Sequence, residues 1–201
     1  MKKIICIACL LAVQIIPYAQ GTLETIFYRL PAEYSLDFDL AKKREEVADM
    51  KANKNQEAGS YIDEQNGYLR RVGYQCLYEL CYWKNFQADS TGISSKNLVA
   101  VVDGCQGKPD FLIEENGKFT VTEFEVFENF DARCFFKTGV NLSSIKEFLS
   151  YFSFTLPSKG YNITAHYGAP YGDQERIDLL KGDKIDFRWK DSNFIMGEAY
   201  F

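Results

Sequence analysis

The chain has 201 residues, with 23 basic and 28 acidic side chains, a net charge of −5 and an aromatic content of 15%. This acidic balance argues against nucleic acid as a partner, because binding to it depends on Lys and Arg neutralising phosphates, and against docking on anionic membranes. The aromatic content also argues against disorder, and the length suits one good-sized domain or two small ones.

The N-terminus predicts a secretory signal peptide. Two lysines, Lys2 and Lys3, precede the apolar run Ile4–Ile16, and the small residue Ala19 offers a cleavage site. The run is too short to cross a bilayer, and no later stretch is apolar enough to do so, so we expect an exported protein of the periplasm or cell surface. The expected units are a leader at 1–19 and a single α+β domain at 20–201, with 20–138 and 139–201 as alternative subdomains.

Two helices are predicted before the first strands. Thr22–Leu30 carries an apolar stripe at helical spacing, and Thr22 can cap it. Phe38–Met50 is a second, more polar helix, with either Asp37 or Asp39 at its cap.

The middle of the chain predicts an antiparallel sheet. Leu98–Val102 is a run of five apolar residues, typical of a strand that is covered on both faces. Asn-Gly pairs at Asn66-Gly67 and Asn116-Gly117 predict hairpin turns, since both residue types tolerate positive φ. The predicted strands are Tyr68–Val72, Gln75–Lys84, Leu98–Asp103 and Phe111–Glu125, the last with a turn at Asn116-Gly117 and a bulge near Thr122.

The last third predicts a helix followed by strands. Ser144 and Glu147 form a capping box, and apolar residues at helical spacing extend a helix over 142–156, which we expect to cover the sheet. The predicted strands after it are Tyr161–Tyr167, Arg176–Leu180, Lys184–Lys190 and Asn193–Phe201, the last three as a meander.

Four cysteines remain after removal of the leader, in an oxidising setting. Cys105 and Cys134 both lie next to loops and are the favoured disulfide; the alternative is buried free thiols. Cys76 and Cys81 are five residues apart, and a straight strand points them to opposite faces. These spacings do not match paired zinc ligands, so no metal site is predicted.

Candidate catalytic residues are few. His166 is the single histidine, so a Cys–His dyad would join it to Cys105 or Cys134. No phosphate-binding or dinucleotide-binding glycine motif is present, so no cofactor is predicted. The carboxylate groups that could serve a glycosidase, each also explained as the solvent-facing side of a strand or turn, are Glu123/Glu125, Asp110/Glu114/Glu115 and Asp183/Asp186.

Aromatic residues near strand ends and loops are the candidates for ligand binding. They could stack on sugars or anchor a partner protein, or they could instead fill a β core. The ligand-binding candidates are Tyr78, Tyr82, Trp83, Tyr167 and Tyr171. The loops expected to present a binding surface are Gln87–Asn97, Asp103–Asp110 and Gly168–Gly172.

Short motifs spread along the chain carry a family resemblance. They are Ala19-Gln20 at the end of the leader, Leu30-Pro31 after the first helix, Asn66–Leu69, Asp103–Cys105 and Trp189–Phe194. With these motifs the chain resembles a family of uncharacterised secreted Bacteroidota proteins. The resemblance implies an exported α+β protein in a Gram-negative envelope and carries no functional residue across.

The sequence favours a non-enzymatic, exported binding or interaction module with a protein or glycan partner, because it lacks a catalytic motif and has loops rich in Gly and aromatic residues. The alternative is a secreted hydrolase acting on glycans or peptides through carboxylates or His166.

Overall fold

The first two helices of the computed structural model begin at predicted capping residues. Helix α1 (Leu23–Arg29) is capped by Thr22, whose hydroxyl accepts from Thr25 N at 3.2 Å. Helix α2 (Leu40–Ala52) is capped by Asp39, which accepts from Lys42 N at 2.8 Å. Both helices are therefore confirmed. The structure describes residues 22–53, 59–73, 77–88, 95–104, 107–141, 143, 149, 151–168 and 177–201; the predicted leader lies outside them.

The central third of the chain forms a six-stranded antiparallel sheet, as predicted. Its strands follow one another in chain order, so each pairs with the next. Asn116 and Gly117, with φ of 51° and 83°, form the predicted two-residue turn. The strands are β1 (Tyr61–Asp63), β2 (Tyr68–Val72), β3 (Leu77–Ala88), β4 (Ser95–Asp103), β5 (Asp110–Glu115) and β6 (Lys118–Thr122).

Strands β3 and β4 lie in the middle of this sheet and are buried on both faces. Leu98, Ala100 and Val102 point into one core, and Val99 and Val101 into the other, which confirms the prediction from the apolar run. The loop predicted at Gln87–Asn97 is shorter than expected, because β3 continues to Ala88 and β4 begins at Ser95. The predicted loop Asp103–Asp110 is also shorter, because β4 ends at Asp103 and β5 begins at Asp110.

The remaining described strands form a second antiparallel sheet of four strands, in the order β10-β9-β8-β7. The hairpin between β9 and β10 turns at Asp191 and Ser192, both with positive φ, as predicted. The strands are β7 (Phe152–Thr155), β8 (Ile163–Tyr167), β9 (Lys184–Lys190) and β10 (Asn193–Tyr200).

Two apolar cores hold these layers together. Helices α1 and α2 pack on one face of the six-stranded sheet, through residues such as Ile26, Phe27 and Val47. The other face packs against the four-stranded sheet through an aromatic core that includes Phe111, Phe154 and Phe187. The fold is therefore α+β, with a layer of helices followed by two sheets.

The helix predicted over 142–156 is wrong in its last part. Phe152–Thr155 is strand β7, because Phe152 and Phe154 alternate with polar residues and pair with β8. Phe152 also fits the helical spacing that predicted the helix, four residues before Leu156, but Phe154 fits only the strand spacing, and pairing with β8 selects the strand. Residues 142, 144–148 and 150, including the capping box, lie outside the described residues.

Two other strand predictions are also corrected. The predicted strand Phe111–Glu125 ends at Thr122, and Glu125–Glu128 is a short helix, α3, that places Phe127 in the aromatic core. In the predicted strand Arg176–Leu180, the described residues Ile177 to Leu179 form a helical turn, and Leu180 makes a single bridge to Phe136.

Candidate functional site

A cleft of about 320 Å³ lies between the β1–β2 turn, the middle of β3 and the segment before β8. We call it the aromatic cleft. Its described lining residues are Leu23, Glu64, Gln65, Asn66, Gly67, Tyr82, Trp83, Lys84, Gly160 and Tyr161.

The β1–β2 turn forms one wall of the cleft, and its own side chains shape it. Asp63 accepts from Asn66 N at 3.1 Å and from Asn66 Nδ2 at 2.7 Å. Gly67 then has φ of 65° and accepts from Tyr82 N at 2.7 Å. A Cβ at Gly67 would lie 2.3 Å from Tyr82 O, so only glycine lets the turn approach β3 this closely.

Glu64 connects this wall to helix α1. Its two carboxylate oxygens accept from Leu23 N at 3.0 Å and from Glu24 N at 3.1 Å. A carboxylate at the start of a helix satisfies backbone N–H groups that have no partner within the helix. Glu64 is the sole carboxylate among the described lining residues, and each of its oxygens accepts one of these backbone hydrogen bonds.

Two aromatic rings form the floor and the far wall. The Trp83 side chain is 6% exposed, and its Nε1 donates to Gly160 O at 2.8 Å. The next residue, Tyr161, is 42% exposed, and its ring lies 5.7 Å from that of Trp83, inclined by 34°. The hydrogen bond fixes the indole, so the Tyr161 ring becomes an accessible surface next to a rigid neighbour.

The rim of the cleft is polar and carries one cation. Burial raises the pKa of Tyr82 to about 12, with the charge of Glu114 acting in the same direction, so Tyr82 keeps its proton at neutral pH. The ammonium of Lys84 lies 5.9 Å from the centre of the Tyr82 ring, and the Lys84 side chain is exposed. Tyr82 itself is 4% exposed and packs in the core beside the helices, so the donors open to a ligand in the cleft are the Lys84 ammonium and the exposed amide of Gln65.

The structure brings two of the five predicted ligand-binding aromatics together here, Tyr82 and Trp83. Tyr78 is buried in the core beside the helices, where its hydroxyl donates to Tyr34 O at 2.8 Å. Tyr167 is buried in the core between the sheets, against Phe135 and Phe136. Tyr171 lies outside the described residues.

Sequence reasoning missed Tyr161, Lys84 and Gln65 as cleft residues. Tyr161 appeared only as the first residue of a predicted strand, and β8 in fact begins at Ile163. An exposed aromatic after Gly160, whose φ is 79°, was the available signal, but the partner ring of Tyr161 is 78 positions earlier in the chain.

Cys81 and Cys134, the two described cysteines, form no disulfide within the described residues. Cys81 is buried, its thiol donates to Pro157 O at 3.2 Å, and burial raises its pKa. Cys134 is half-buried. The bond predicted between Cys105 and Cys134 is therefore not seen, and because Cys105 lies outside the described residues, the pairing stays a prediction.

His166 lies on the outer face of the four-stranded sheet, half-buried and opposite Lys184. Burial, reinforced by the Lys184 charge, lowers the pKa of His166, and Asp183 and Asp186 oppose this effect. Asp186 Oδ1 accepts from Thr164 Oγ1 at 2.9 Å and from Tyr200 Oη at 3.0 Å. This predicted carboxylate pair does lie near His166, but Asp186 serves cross-strand hydrogen bonds.

The other predicted carboxylates are dispersed. Glu114 is buried and accepts from Asn97 Nδ2 at 2.6 Å and from Gly117 N at 2.7 Å, which holds the hairpin turn. Glu123 and Glu125 are exposed at the end of β6 and the start of α3. Burial raises the pKa of Asp110, with the charge of Glu128 adding to the effect.

Within the described residues, no group of three His, Cys, Asp or Glu side chains is arranged to hold a metal ion. The helices of the described ranges are also too short or too polar to cross a membrane.

Fold and cleft together define an α+β protein of two stacked antiparallel sheets with an aromatic site beside the middle of β3. Comparisons with protein-family models, with curated proteins and with solved structures find no match to this chain.

Proposed function

We propose that the protein is an exported, non-enzymatic binding module that holds a glycan in the aromatic cleft. The observation that carries this proposal is the exposed Tyr161 ring beside the fixed Trp83 indole. The C–H face of a sugar ring can stack on such an aromatic surface, while its hydroxyls reach the polar rim at Gln65 and Lys84. Export is supported by the apolar leader Ile4–Ile16 and places the protein in the periplasm or on the cell surface.

The size of the cleft favours a glycan over a protein partner. At about 320 Å³ it lies at the lower end of small-ligand pockets. A stable protein–protein interface instead buries about 800 Å² on each partner, usually around several aromatic or Arg anchors.

The chemistry of the lining residues favours binding over hydrolysis. A glycosidase of the common type needs two carboxyl groups on either side of the scissile bond. The described lining residues of the cleft include one carboxylate, Glu64, which caps the start of α1, and no second carboxylate faces it.

Binding to a panel of soluble oligosaccharides, followed by tryptophan fluorescence, tests the proposal. Replacing Tyr161 by Ala should weaken binding at least about tenfold, equivalent to about 1.4 kcal/mol, because it removes the stacking surface. Y161F should retain most of the affinity, since the ring remains. Y151A is the matched control, because Tyr151 is 45% exposed, close to the 42% of Tyr161.

Equal affinity of Y161A and the parent for a bound glycan would show that the cleft is not the site. Cleavage of a panel member that disappears in H166A would instead favour the hydrolase that the sequence left open.

A further inference from the structure

Strand β6 ends the six-stranded sheet and leaves one side of its backbone without a described neighbouring strand. Free edges invite pairing with another chain, and proteins commonly protect them with short strands or bulges. Of the other end strands, β1 has three residues, β7 has four, and β10 is interrupted by a register shift between Met196 and Ala199. By contrast, β6 keeps an uninterrupted register with β5 over five residue pairs.

The hairpin geometry determines which peptide groups of β6 face outward. In a two-residue hairpin, the residues that flank the turn, Glu115 and Lys118, exchange hydrogen bonds, and every second pair after them does the same. The peptide groups of Thr120 and Thr122 therefore also face β5. Those of Phe119 and Val121 face the free edge.

We propose that β6 of one copy pairs antiparallel with β6 of a second copy, with the two-fold axis passing through Thr120. This register places Phe119 of each copy opposite Val121 of the other, so the outward peptide groups meet and form four hydrogen bonds. The two six-stranded sheets then become one continuous sheet.

In this register the side chains of β6 in one copy are complementary to those of β6 in the other copy. Val121 is 57% exposed in the single chain and would pack beside Phe119 of the second copy. Thr120 would face Thr120, a favourable cross-strand pair. Each Lys118 would face a threonine, Thr122, and the two lysines would be separated by about 13 Å along the strands, so like charges are not opposed.

The contact is small, so the dimer should be weak and depend on concentration. In sedimentation experiments on the purified full chain, the average mass should rise towards twice the monomer mass as the concentration increases. A chain that stays monomeric at the highest soluble concentration would overturn the proposal.

Cysteine cross-linking tests the register. At the pair on the axis the two Cα atoms would lie about 4.5 Å apart, within the range that a disulfide spans. Oxidised T120C should therefore form a covalent dimer. T122C is the matched control, because its opposite residue is Lys118, and it should cross-link no more than the parent; equal cross-linking of both variants would overturn the register.

Proline at position 121 tests the backbone contact. V121P removes an N–H that faces the free edge, a position where strands tolerate proline, so the hairpin should survive with an unfolding midpoint close to that of the parent. Dimerisation should be lost. A V121P protein that folds and dimerises like the parent would also overturn the proposal.

Discussion

The two sheets differ in how many of their faces are covered, and their sequences reflect it. The central strand β4 is buried on both sides and is almost continuously apolar from Leu98 to Val102. In β9, by contrast, the buried residues Ile185 and Phe187 alternate with the partly or fully exposed Asp186 and Arg188. A strand between two layers must exclude water on both faces, whereas a strand in an outer layer needs an apolar face on one side only.

The two sheets also place polar side chains in different surroundings. Glu79 on β3 is 1% exposed, and its carboxylate accepts from Tyr68 Oη and from Leu156 N at 2.8 Å. It therefore links the six-stranded sheet to the end of β7 inside the protein. Asp186 makes comparable hydrogen bonds on the outer face, where its side chain is only partly buried.

The largest loss of stability is expected when a residue packed between the two sheets is truncated. Phe127 is 1% exposed, and its ring lies 4.6 Å from Phe187 and 5.0 Å from Phe111. F127A should lower the free energy of unfolding by about 3–5 kcal/mol, measured by urea denaturation, because it leaves a cavity between the sheets. I195A, a truncation of a residue that is 49% exposed, should cost less than about 1 kcal/mol. Equal losses of unfolding free energy in F127A and I195A would contradict the placement of Phe127 between the sheets and of Ile195 on an open face.

A smaller loss is expected at the turn that forms the cleft. Gly67 and Gly139 both have positive φ, but a Cβ at Gly67 would clash with Tyr82 O, whereas nothing lies within 4 Å of one at Gly139. G139A should cost about 1–2 kcal/mol from backbone strain alone. G67A should cost more than G139A in the same denaturation experiment, and a reversed order would show that the turn is not tightly packed.

The smallest effect concerns the pH dependence caused by Glu79. Burial raises the pKa of this carboxyl above its ordinary value of 4.5, although Tyr68, Leu156 and Arg70 oppose the effect. The folded protein therefore binds this proton more tightly than the unfolded chain. This tighter proton binding adds to the free energy of unfolding. The contribution is complete below pH 4.5 and is lost as the pH rises towards the raised pKa of Glu79.

The variant E79Q resembles the protonated form and cannot ionise. Its free energy of unfolding should exceed that of the parent by an amount that grows as the pH rises above 4.5, and each unit by which the pKa is raised contributes about 1.4 kcal/mol. Denaturation at several pH values between 4 and 8 measures this difference. The control is E198Q, at an exposed glutamate of β10, whose free energy of unfolding should equal that of the parent at every pH. If the free energy of unfolding of E79Q also equals that of the parent at every pH, the prediction is refuted.

Much of the fold follows from signals within a few residues of each other. The caps Thr22 and Asp39, the Asn116-Gly117 turn and the apolar run of β4 each act through local hydrogen bonds, allowed φ values or a simple period of apolar residues. These elements were predictable because a short peptide already carries the physical preference.

Tertiary contacts decided the elements whose local pattern was ambiguous. Phe152 fits both the helical stripe that ends at Leu156 and a strand that continues to Phe154, and pairing with β8 made the segment a strand. The aromatic cleft depends even more on tertiary structure, since Leu23, the turn at Gly67, Trp83 and Tyr161 are far apart in sequence. Sequence alone therefore determined the local turns, caps and the α+β class. Only the packing of the layers brought the Trp83 and Tyr161 rings together, because no local interaction relates two residues 78 positions apart.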